Sequence, residues 1–592
     1  MTLKISVSRW SLKRRHALDV RTIWLPLVFI LWLTACGGPV YVPPQPLEAS
    51  DETTIEIRSG TIVGGKTDNG ARAWLGIPYA APPIGDLRWR PPQIANTWEE
   101  TFPAVQHGTW CPQITNGLDA LSGLPKGEMR GDENCLFLDI YAPSGSSPES
   151  ELPVMFWIHG GSNVWGRAEQ YDGARLAETQ QVVVVVAQYR LGPLGWFAHP
   201  ALEDGIANFA LLDLVMGLEW VAENIHAFGG NPARVTLFGE SAGGNNVLAL
   251  LAMPDVDGLY RAAIVQSALP SSLPLDLARN GIAGVAIGAV PAAETFTADS
   301  DPDAEDLRTA PLQAIFSAFK TGRTPTVIQD GHTLPAISLG EAVVIHQSGA
   351  DIPVILGSNR DEAKYLLAFD PAFTKKVFGV FPKARDAEYY DSTSTYMTGL
   401  WRVIGVSSFA SELALHSAGP VRTYRFDWDE AGSAGPTDLS HLLGAAHSLE
   451  VPFVFGRFSN FLGRLDRKLF TSANESRRIE LSEIMMACWG QFAHQGSGER
   501  IFSAPCQHWP VVSDDHDLQH TMVFDTTADG GVRPVPETLG LDALLDAIDR
   551  DPALDTDDRR CDLVERLQRA YGMVASANTL AELAQICDPL KR

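Results

Sequence analysis

The residue whose neighbours most clearly suggest chemistry is Ser241, which lies in the run Gly239-Glu240-Ser241-Ala242-Gly243. An apolar, β-rich segment at 235–238 precedes it, and helix-forming residues follow at 244–251. A serine between small residues at a strand–turn–helix junction is typical of a catalytic nucleophile, because the sharp turn exposes its hydroxyl. The helix N-terminus that follows favours negative charge at the same point. A glycine-rich turn with an incidental serine stays open until partner residues are found.

Strands and helices alternate on both sides of this turn and must position it. Buried strands are predicted at 153–158, 182–190, 353–357 and 421–426, and 208–224 has the apolar periodicity of a helix. Apolar strands that alternate with helices are typical of an α/β protein with a large, mainly parallel central sheet flanked by helices. The alternating residues that begin at 55 predict an N-terminal β-meander.

Three further segments are interpreted from composition and periodicity. Residues 484–494 are predicted to form a helix, and the last fifty residues two or three short helices. Residues 294–306 are acidic, with Phe296 as their only aromatic residue, which predicts an exposed loop. The role of 269–310 as a whole stays open.

Charge and composition exclude several classes of partner. The formal net charge of −25 argues against nucleic acid and against peripheral adhesion to anionic lipid, though not against a covalent lipid anchor. The 45% hydrophobic and 20% charged residues are ordinary for a globular enzyme. The cysteine spacing is not that of a zinc finger, and we expect neither a metal nor a cofactor.

The N-terminus has the features of an export signal. A basic segment up to Arg21 precedes an apolar run at 23–33, and Leu33-Thr34-Ala35-Cys36 then resembles a bacterial lipobox. Residues 1–35 are therefore predicted to be a signal peptide, and 36–53 a lipidated Cys36 with a Pro/Gly-rich tether. An ordinary secretory cleavage with an incidental Cys36 is the alternative. We expect an exported lipoprotein at the outer membrane or cell surface.

Of the seven cysteines, one is assigned to the lipid and six are left for the exported domain, where disulfides are permitted. We favour pairing Cys111 with Cys135, and next Cys561 with Cys587. Cys488 and Cys506 could pair or could be buried thiols.

Several motifs together resemble the type-B carboxylesterases, the α/β-hydrolase group that includes cholinesterases, bile-salt-activated lipases and bacterial para-nitrobenzyl esterases. The matching segments are 76–80, 133–141, 159–161, 189–195, 208–213, 228–232 and the turn around Ser241. The resemblance implies the α/β-hydrolase fold, with a carboxylesterase domain at 54–545 and a C-terminal helical extension of that domain at 546–592.

The resemblance also implies the partners of Ser241. In this fold the chain order is serine, acid, histidine. Residues 357–362 match the family's acid motif, which makes Glu362 the acid, and 444–450 match its histidine motif, which makes His447 the base. Asp361 and His441 are the alternatives. An imidazole takes the serine proton near neutral pH, and the acid fixes its tautomer.

By the same resemblance, the oxyanion hole consists of the backbone N–H groups of Gly161, Ser162 and Ala242. The family usually has Gly or Ala where Ser162 stands. Gly160 and Glu240 are expected near the substrate, and Glu240 is expected to act through electrostatics. The pairs Arg88–Glu133 and Arg190–Asp213 resemble ion pairs that brace the fold.

Two functions are compatible with these residues. A serine carboxylesterase acting on a small ester through an acyl-enzyme is favoured, since all three triad positions are kept. The alternative is a non-catalytic binding or adhesion protein on the same fold, as in the neuroligin-like members. Cholinesterases hold their quaternary ammonium on a tryptophan in the first cysteine loop, whereas 112–134 contain no Trp, Tyr or Phe and Trp110 lies just outside. We therefore expect neutral esters as substrates; the oligomeric state stays open.

Overall fold

The protein is described by a computed structural model that covers residues 41–587 except 203, 283–285, 320–325, 496–501, 514–519, 538–539, 573 and 576. The predicted signal peptide and Cys36 lie outside the described residues. Across the described ranges, no helix combines the length and the apolar character that crossing a bilayer requires.

A mixed sheet of thirteen strands forms the centre of the molecule, in the spatial order β1-β2-β3-β5-β7-β6-β8-β9-β10-β11-β12-β13, with the short β4 beside β2. In chain order, the strands are β1 (Ala49–Ile57), β2 (Gly60–Lys66), β3 (Arg72–Pro78), β4 (Phe102–Pro103), β5 (Phe137–Ala142), β6 (Leu152–Ile158), β7 (Val183–Ala187), β8 (Gly230–Glu240), β9 (Ala262–Gln266), β10 (Val354–Asn359), β11 (Val421–Phe426), β12 (His520–Phe524) and β13 (Arg533–Pro536).

The strands from β7 through β6 and β8 to β12 are parallel neighbours, and the antiparallel pairs lie towards the two edges. The parallel strands β6, β7 and β9 are buried at nearly every position, as expected for strands covered by helices on both faces. At the N-terminus, β1, β2 and β3 form the predicted antiparallel meander. The α/β-hydrolase expectation is confirmed, with a sheet that is parallel at its centre.

Helices cover both faces of the sheet. They are α1 (Ala174–Gln180), α2 (Phe209–Asn224), α3 (Ala242–Leu251), α4 (Leu275–Asn280), α5 (Ala289–Thr297), α6 (Ala304–Thr309), α7 (Leu312–Phe319), α8 (Leu339–His346), α9 (Lys364–Leu367), α10 (Ala387–Arg402), α11 (Ser408–His416), α12 (Leu439–Leu443), α13 (Val451–Phe455), α14 (Asp466–Leu469), α15 (Glu475–Gln495), α16 (Leu541–Arg550), α17 (Asp557–Tyr571) and α18 (Ala577–Ile586).

Five small strand pairs lie outside the central sheet. They are Gln113–Ile114 with Met129–Arg130, Leu273–Pro274 with Ile328–Gln329, Gly281–Ile282 with Ala286–Ile287, Thr374–Val377 with Phe381–Ala384, and Ser433–Ala434 with Thr437–Asp438.

The segment 294–306 is an exposed loop only in its middle part. Residues 298–303 are irregular and all exposed except Pro302, as predicted. The prediction is wrong at the two ends, where helix α5 runs through Thr297 and α6 begins at Ala304. In α5, the buried residues Ala289, Ala292, Ala293 and Phe296 have the spacing of one helical face. In α6, Asp303 caps the helix by accepting from the N–H groups of Glu305 and Asp306.

The described part of the predicted tether also packs on the domain. Strand β1 begins at Ala49, so its first five residues lie inside the predicted tether, and Thr53 is fully buried. The Leu47 N–H donates to the Val105 carbonyl at 2.8 Å, and the Tyr41 hydroxyl donates to Glu169 at 2.6 Å. For 41–53 the prediction of a free tether is therefore wrong, since the main chain adds a strand to the sheet edge.

Three disulfides join Cys111 to Cys135, Cys488 to Cys506 and Cys561 to Cys587. The two favoured pairings are confirmed, and the pair that stayed open is bonded. Both expected ion pairs are present and buried, with N–O distances of 2.6 Å for Arg88–Glu133 and 2.6 Å for Arg190–Asp213.

Candidate active site

Ser241 lies in a tight turn between the end of strand β8 and the start of helix α3, and few residues could form this turn. Ser241 has a φ of 58°, in the left-handed region that is costly for a residue with a side chain. A Cβ on Gly243 would lie 2.0 Å from the Ile158 carbonyl oxygen, so only glycine fits there. The Ser241 N–H donates to the Gln266 carbonyl at 2.8 Å, which fixes the turn on the neighbouring strand.

A continuous line of hydrogen-bonding groups connects Ser241 to Glu362 through His447. The Ser241 Oγ lies 2.9 Å from His447 Nε2, and Glu362 Oε2 lies 2.6 Å from Nδ1 of the same ring. Glu362 follows the end of β10, where its Oε1 also accepts the Asn359 N–H at 2.7 Å. The structure thus brings the three predicted residues into the order that activates a serine hydroxyl.

The alternative acid and base have other partners. Asp361 pairs with Arg360 at 2.8 Å and accepts the Ala445 N–H at 3.0 Å. His441 lies 3.0 Å from Asp391 and is more than a third exposed at its side chain. Neither side chain contacts Ser241, so geometry favours Glu362 and His447.

Two further buried carboxylates face His447. Glu240 Oε1 is 3.2 Å from Nε2 and accepts the Ser448 hydroxyl at 2.5 Å. Glu450 is fully buried and accepts Asn359 Nδ2 at 2.7 Å and Gln266 Nε2 at 3.3 Å. The electrostatic role expected for Glu240 fits this position. The sequence reasoning missed Glu450 as a site residue, although a carboxylate inside an apolar run three residues after His447 was a signal.

Burial and the carboxylates act oppositely on the imidazole. Burial lowers the pKa of His447, but the charges of Glu240 and Glu362 outweigh it and raise that pKa to about 9. Burial likewise raises the pKa of Glu450 to about 8, with Glu240 and Glu362 adding to the effect. Glu450 therefore holds a proton at neutral pH, which limits the negative charge beside the histidine. Burial also raises the pKa of Glu240.

The predicted oxyanion-hole amides lie beside Ser241. Gly161, Ser162 and Asn163 have consecutive φ values of 95°, 53° and 59°, which turn the backbone sharply after β6. A Cβ on Gly161 would lie 1.9 Å from the Trp165 carbonyl oxygen. Over the described ranges, the N–H groups of Gly161, Ser162 and Ala242 have no protein acceptor. They remain available to an oxyanion.

Two cavities meet above the serine. One of about 220 Å³ contains Ser241, Glu362 and His447, and a neighbouring one of about 480 Å³ opens beside Ser162. Both are lined by Leu118, Ser162, Trp165, Tyr365, Leu366 and Phe369. Glu240 lines the smaller cavity, as expected. Gly160 lines neither, because it packs against Glu240, where its Cβ would lie 2.7 Å from the carboxylate.

The ring of Trp110 makes a cation–π contact with an arginine of the same chain. The Arg167 guanidinium lies 4.3 Å from the centre of the Trp110 ring, and the Tyr41 ring packs edge-on at 5.7 Å. Arg167 is buried and pairs with Asp119 at 2.9 Å and Glu169 at 2.6 Å. The face of the Trp110 ring that Arg167 covers is therefore not free to receive a ligand.

Comparisons with known proteins agree with this geometry. The model of the carboxylesterase family matches residues 51–380. A para-nitrobenzyl esterase of Bacillus subtilis is 32% identical over 496 residues, covering 78% of this chain and 93% of that protein. A fumonisin B1 esterase of Sphingopyxis macrogoltabida is 32% identical over 510 residues, covering 81% and 88%.

Solved structures of esterases share the fold. A PNB esterase superposes with a TM-score of 0.65 at 28% identity, covering 82% of this chain and 97% of its own. A carboxylesterase of Geobacillus stearothermophilus gives a TM-score of 0.63 at 26% identity, covering 82% and 98%.

Proposed function

The chain belongs to the carboxylesterase family and is a carboxylic ester hydrolase, and we propose that it cleaves neutral esters through an acyl-enzyme on Ser241. The observation that carries the proposal is the line Glu362–His447–Ser241, with gaps of 2.6 and 2.9 Å, at the floor of the smaller cavity.

The residues of the site have distinct tasks in the reaction. His447 Nε2 accepts the Ser241 proton as Oγ attacks the ester carbonyl, and it returns that proton to the leaving alcohol oxygen. The amides of Gly161, Ser162 and Ala242 donate to the carbonyl oxygen as it becomes negative. Water then attacks the acyl-enzyme with His447 again as base, releasing the acid and Ser241. Glu362 keeps Nδ1 protonated and orients the ring throughout.

A fluorophosphonate probe tests the assignment directly. It should label the protein at Ser241, and the Ser241→Ala variant should stay unlabelled while keeping its fold. Ser267 is a suitable control, because this fully buried serine just after the next strand should not react. An unlabelled wild-type protein would favour the binding or adhesion function instead.

The lipid anchor on Cys36 remains part of the proposal, supported by the lipobox resemblance. Tyr41, five residues later, is held by Glu169, which pairs with the cavity-lining Arg167. Five residues span at most about 18 Å, so the lipid would hold the face of the domain that carries Tyr41 near the membrane. Mass spectrometry of the mature N-terminus should find an acylated Cys36, and Cys36→Ser should lack the modification. A mature terminus at another residue would contradict the anchor.

A further inference from the structure

A short hairpin beside the active-site entrance differs in charge from the rest of the chain. Its strands are Thr374–Val377 and Phe381–Ala384, and we call residues 374–384 the basic hairpin. It contains Lys375, Lys376 and Lys383, three of the eleven lysines in the sequence, and no acidic residue. All three lysines are exposed.

The register of the hairpin places two of these charges directly opposite each other. Lys375 pairs with Lys383 across the strands. Like charges at directly opposed positions destabilise an antiparallel pair in water. The arrangement becomes favourable when an anionic surface lies against this face.

The tip of the hairpin is apolar and fully presented to solvent. Phe378 is 84% exposed and Val380 66% exposed, the highest values among the large hydrophobic side chains that the structure describes after residue 42. Phe378 also has a φ of 51°, which is unusual for a bulky residue. The tip extends two to three residues beyond the Lys375–Lys383 pair, about 7–10 Å at 3.3 Å per residue. Apolar side chains of interfacial elements insert to a similar depth below lipid headgroups.

The hairpin rests on the elements that carry the triad acid and base. On one side, helix α9 begins two residues after Glu362. Leu366 within this helix and Phe369 just after it line both cavities while being 51% and 64% exposed. On the other side of the hairpin, the Thr437 hydroxyl donates to the Pro382 carbonyl at 2.7 Å. The chain then continues from Thr437 through helix α12 to His447.

The base of the hairpin is firmly held. Phe373 is buried and stacks on Tyr389 at 5.3 Å, and Arg385 Nε donates to the carbonyls of Pro371 and Thr374 at 2.9 Å. A fixed base lets the apolar tip project without collapsing onto the domain.

We propose that the basic hairpin docks on a lipid surface containing anionic headgroups, with Phe378 and Val380 among the acyl chains and the lysines at the phosphates. Docking turns Leu366, Phe369 and the cavity entrance towards the bilayer. The inference goes beyond ester hydrolysis and does not require a lipid on Cys36.

The net charge of −25 does not prevent this contact. Charges separated by more than about 8 Å are largely screened at physiological ionic strength. Of the carboxylates that flank the hairpin, Asp370 pairs with Arg566 and Asp386 pairs with Arg559. The three lysines are exposed, and each adds attraction to anionic lipid. The expectation drawn from net charge applies to the whole molecule rather than to this element.

A fluorescent probe on Val380→Cys, with Phe378 intact, tests the docking. The described cysteines are all bonded, so an environment-sensitive dye such as NBD should react at the new thiol, and the unsubstituted protein measures any other labelling. The matched control carries the dye at Leu415→Cys, an exposed apolar position on helix α11. Both proteins are mixed with phosphatidylcholine vesicles with and without phosphatidylglycerol, and with a doxyl-lipid quencher.

Emission from position 380 should shift to the blue and be quenched by doxyl lipid, most strongly with phosphatidylglycerol, while position 415 should not respond. Replacing Lys375, Lys376 and Lys383 with Gln in the labelled protein should lower the response roughly tenfold or more. A probe at 380 that stays as solvated on vesicles as in buffer overturns the proposal. So does a blue shift that grows with protein concentration and ignores lipid, because a second copy would then cover the tip.

Discussion

The Glu240 carboxylate lies 3.2 Å from His447 Nε2, the ring nitrogen that also faces the Ser241 hydroxyl at 2.9 Å. The same ring therefore has a carboxylate at each nitrogen, Glu362 at Nδ1 and Glu240 at Nε2. Both stabilise the imidazolium. The arrangement strengthens the base and moves the pH at which it loses its proton.

The first prediction concerns pH. His447 must be neutral to accept the Ser241 proton, and its pKa is raised to about 9, so kcat/KM should rise with pH between 7 and 9. Glu240→Gln removes a negative charge beside Nε2, which lowers the pKa of His447. The rising part of the kcat/KM profile of this variant should therefore move to lower pH, by roughly one pH unit or more. The measurement is kcat/KM for a soluble ester from pH 5.5 to 10.

Glu450→Gln is the matched control for that experiment. Burial raises the pKa of Glu450 to about 8, so an amide there changes little charge below about pH 7. Its profile should follow the wild type up to that pH. Superimposable profiles for Glu240→Gln and the wild type would show that Glu240 does not set the basicity of His447.

The second prediction separates the two histidines. His447→Ala should lower kcat by roughly 10⁴- to 10⁶-fold, because the variant loses the imidazole that lies 2.9 Å from the Ser241 hydroxyl. His441→Ala should stay within a few-fold of the wild type, since this ring contacts Asp391 and Tyr390 instead. Circular dichroism checks that both variants are folded. If His441→Ala lost its activity while His447→Ala kept it, His441 would be the base.

The resemblance to family motifs predicted Glu362 and His447, because each lies in a short segment that matches such a motif. The contact of Glu240 with Nε2 and the burial of Glu450 nearby were not predicted, since both depend on how the end of β8 and the loop before α13 meet. The pairing of Cys488 with Cys506 also required three-dimensional distances. The sequence at 289–297 does have the apolar spacing of a helix, but the acidic residues that follow led to the prediction of a loop.

The third prediction concerns the Cys488–Cys506 disulfide. Both sulfurs are fully buried, and the bond ties α15 to a segment whose Trp509 packs on Trp489 at 5.8 Å. Closing a loop of this length stabilises the fold by about 3 kcal/mol in the chain-entropy model. The double variant Cys488→Ala/Cys506→Ala should unfold at clearly lower urea, followed by tryptophan fluorescence.

The Cys561–Cys587 bond is the comparison for that variant. It joins α17 to the segment just after α18, and these helices lie at the C-terminal edge of the described chain. Cys561→Ala/Cys587→Ala should loosen these helices while leaving the main transition near the wild-type midpoint. Equal losses in the two double variants would mean that the C-terminal helices unfold together with the core.

The last prediction is that choline esters have no advantage over neutral esters of the same shape. A desolvated cation–π contact is worth about 2 kcal/mol, or about thirtyfold in binding. The first cysteine loop has no aromatic residue within 112–134, and the Trp110 face already holds Arg167 at 4.3 Å. Arg167 also lines the smaller cavity, where its charge would repel a quaternary ammonium. Its partners Asp119 and Glu169 offset part of that repulsion.

The comparison is kcat/KM for acetylcholine against its uncharged carbon isostere, 3,3-dimethylbutyl acetate, at physiological salt. We expect the two values to agree within a few-fold, because long-range attraction by the acidic surface is screened at that ionic strength. A preference for acetylcholine of roughly tenfold, about 1.4 kcal/mol, would contradict the prediction. Trp401, whose ring lies 5.2 Å from that of His447, would then be the first candidate for the aromatic site, and Trp401→Ala should remove the preference. If that variant kept it, Tyr365 at 6.0 Å from the same ring would be the next position to replace.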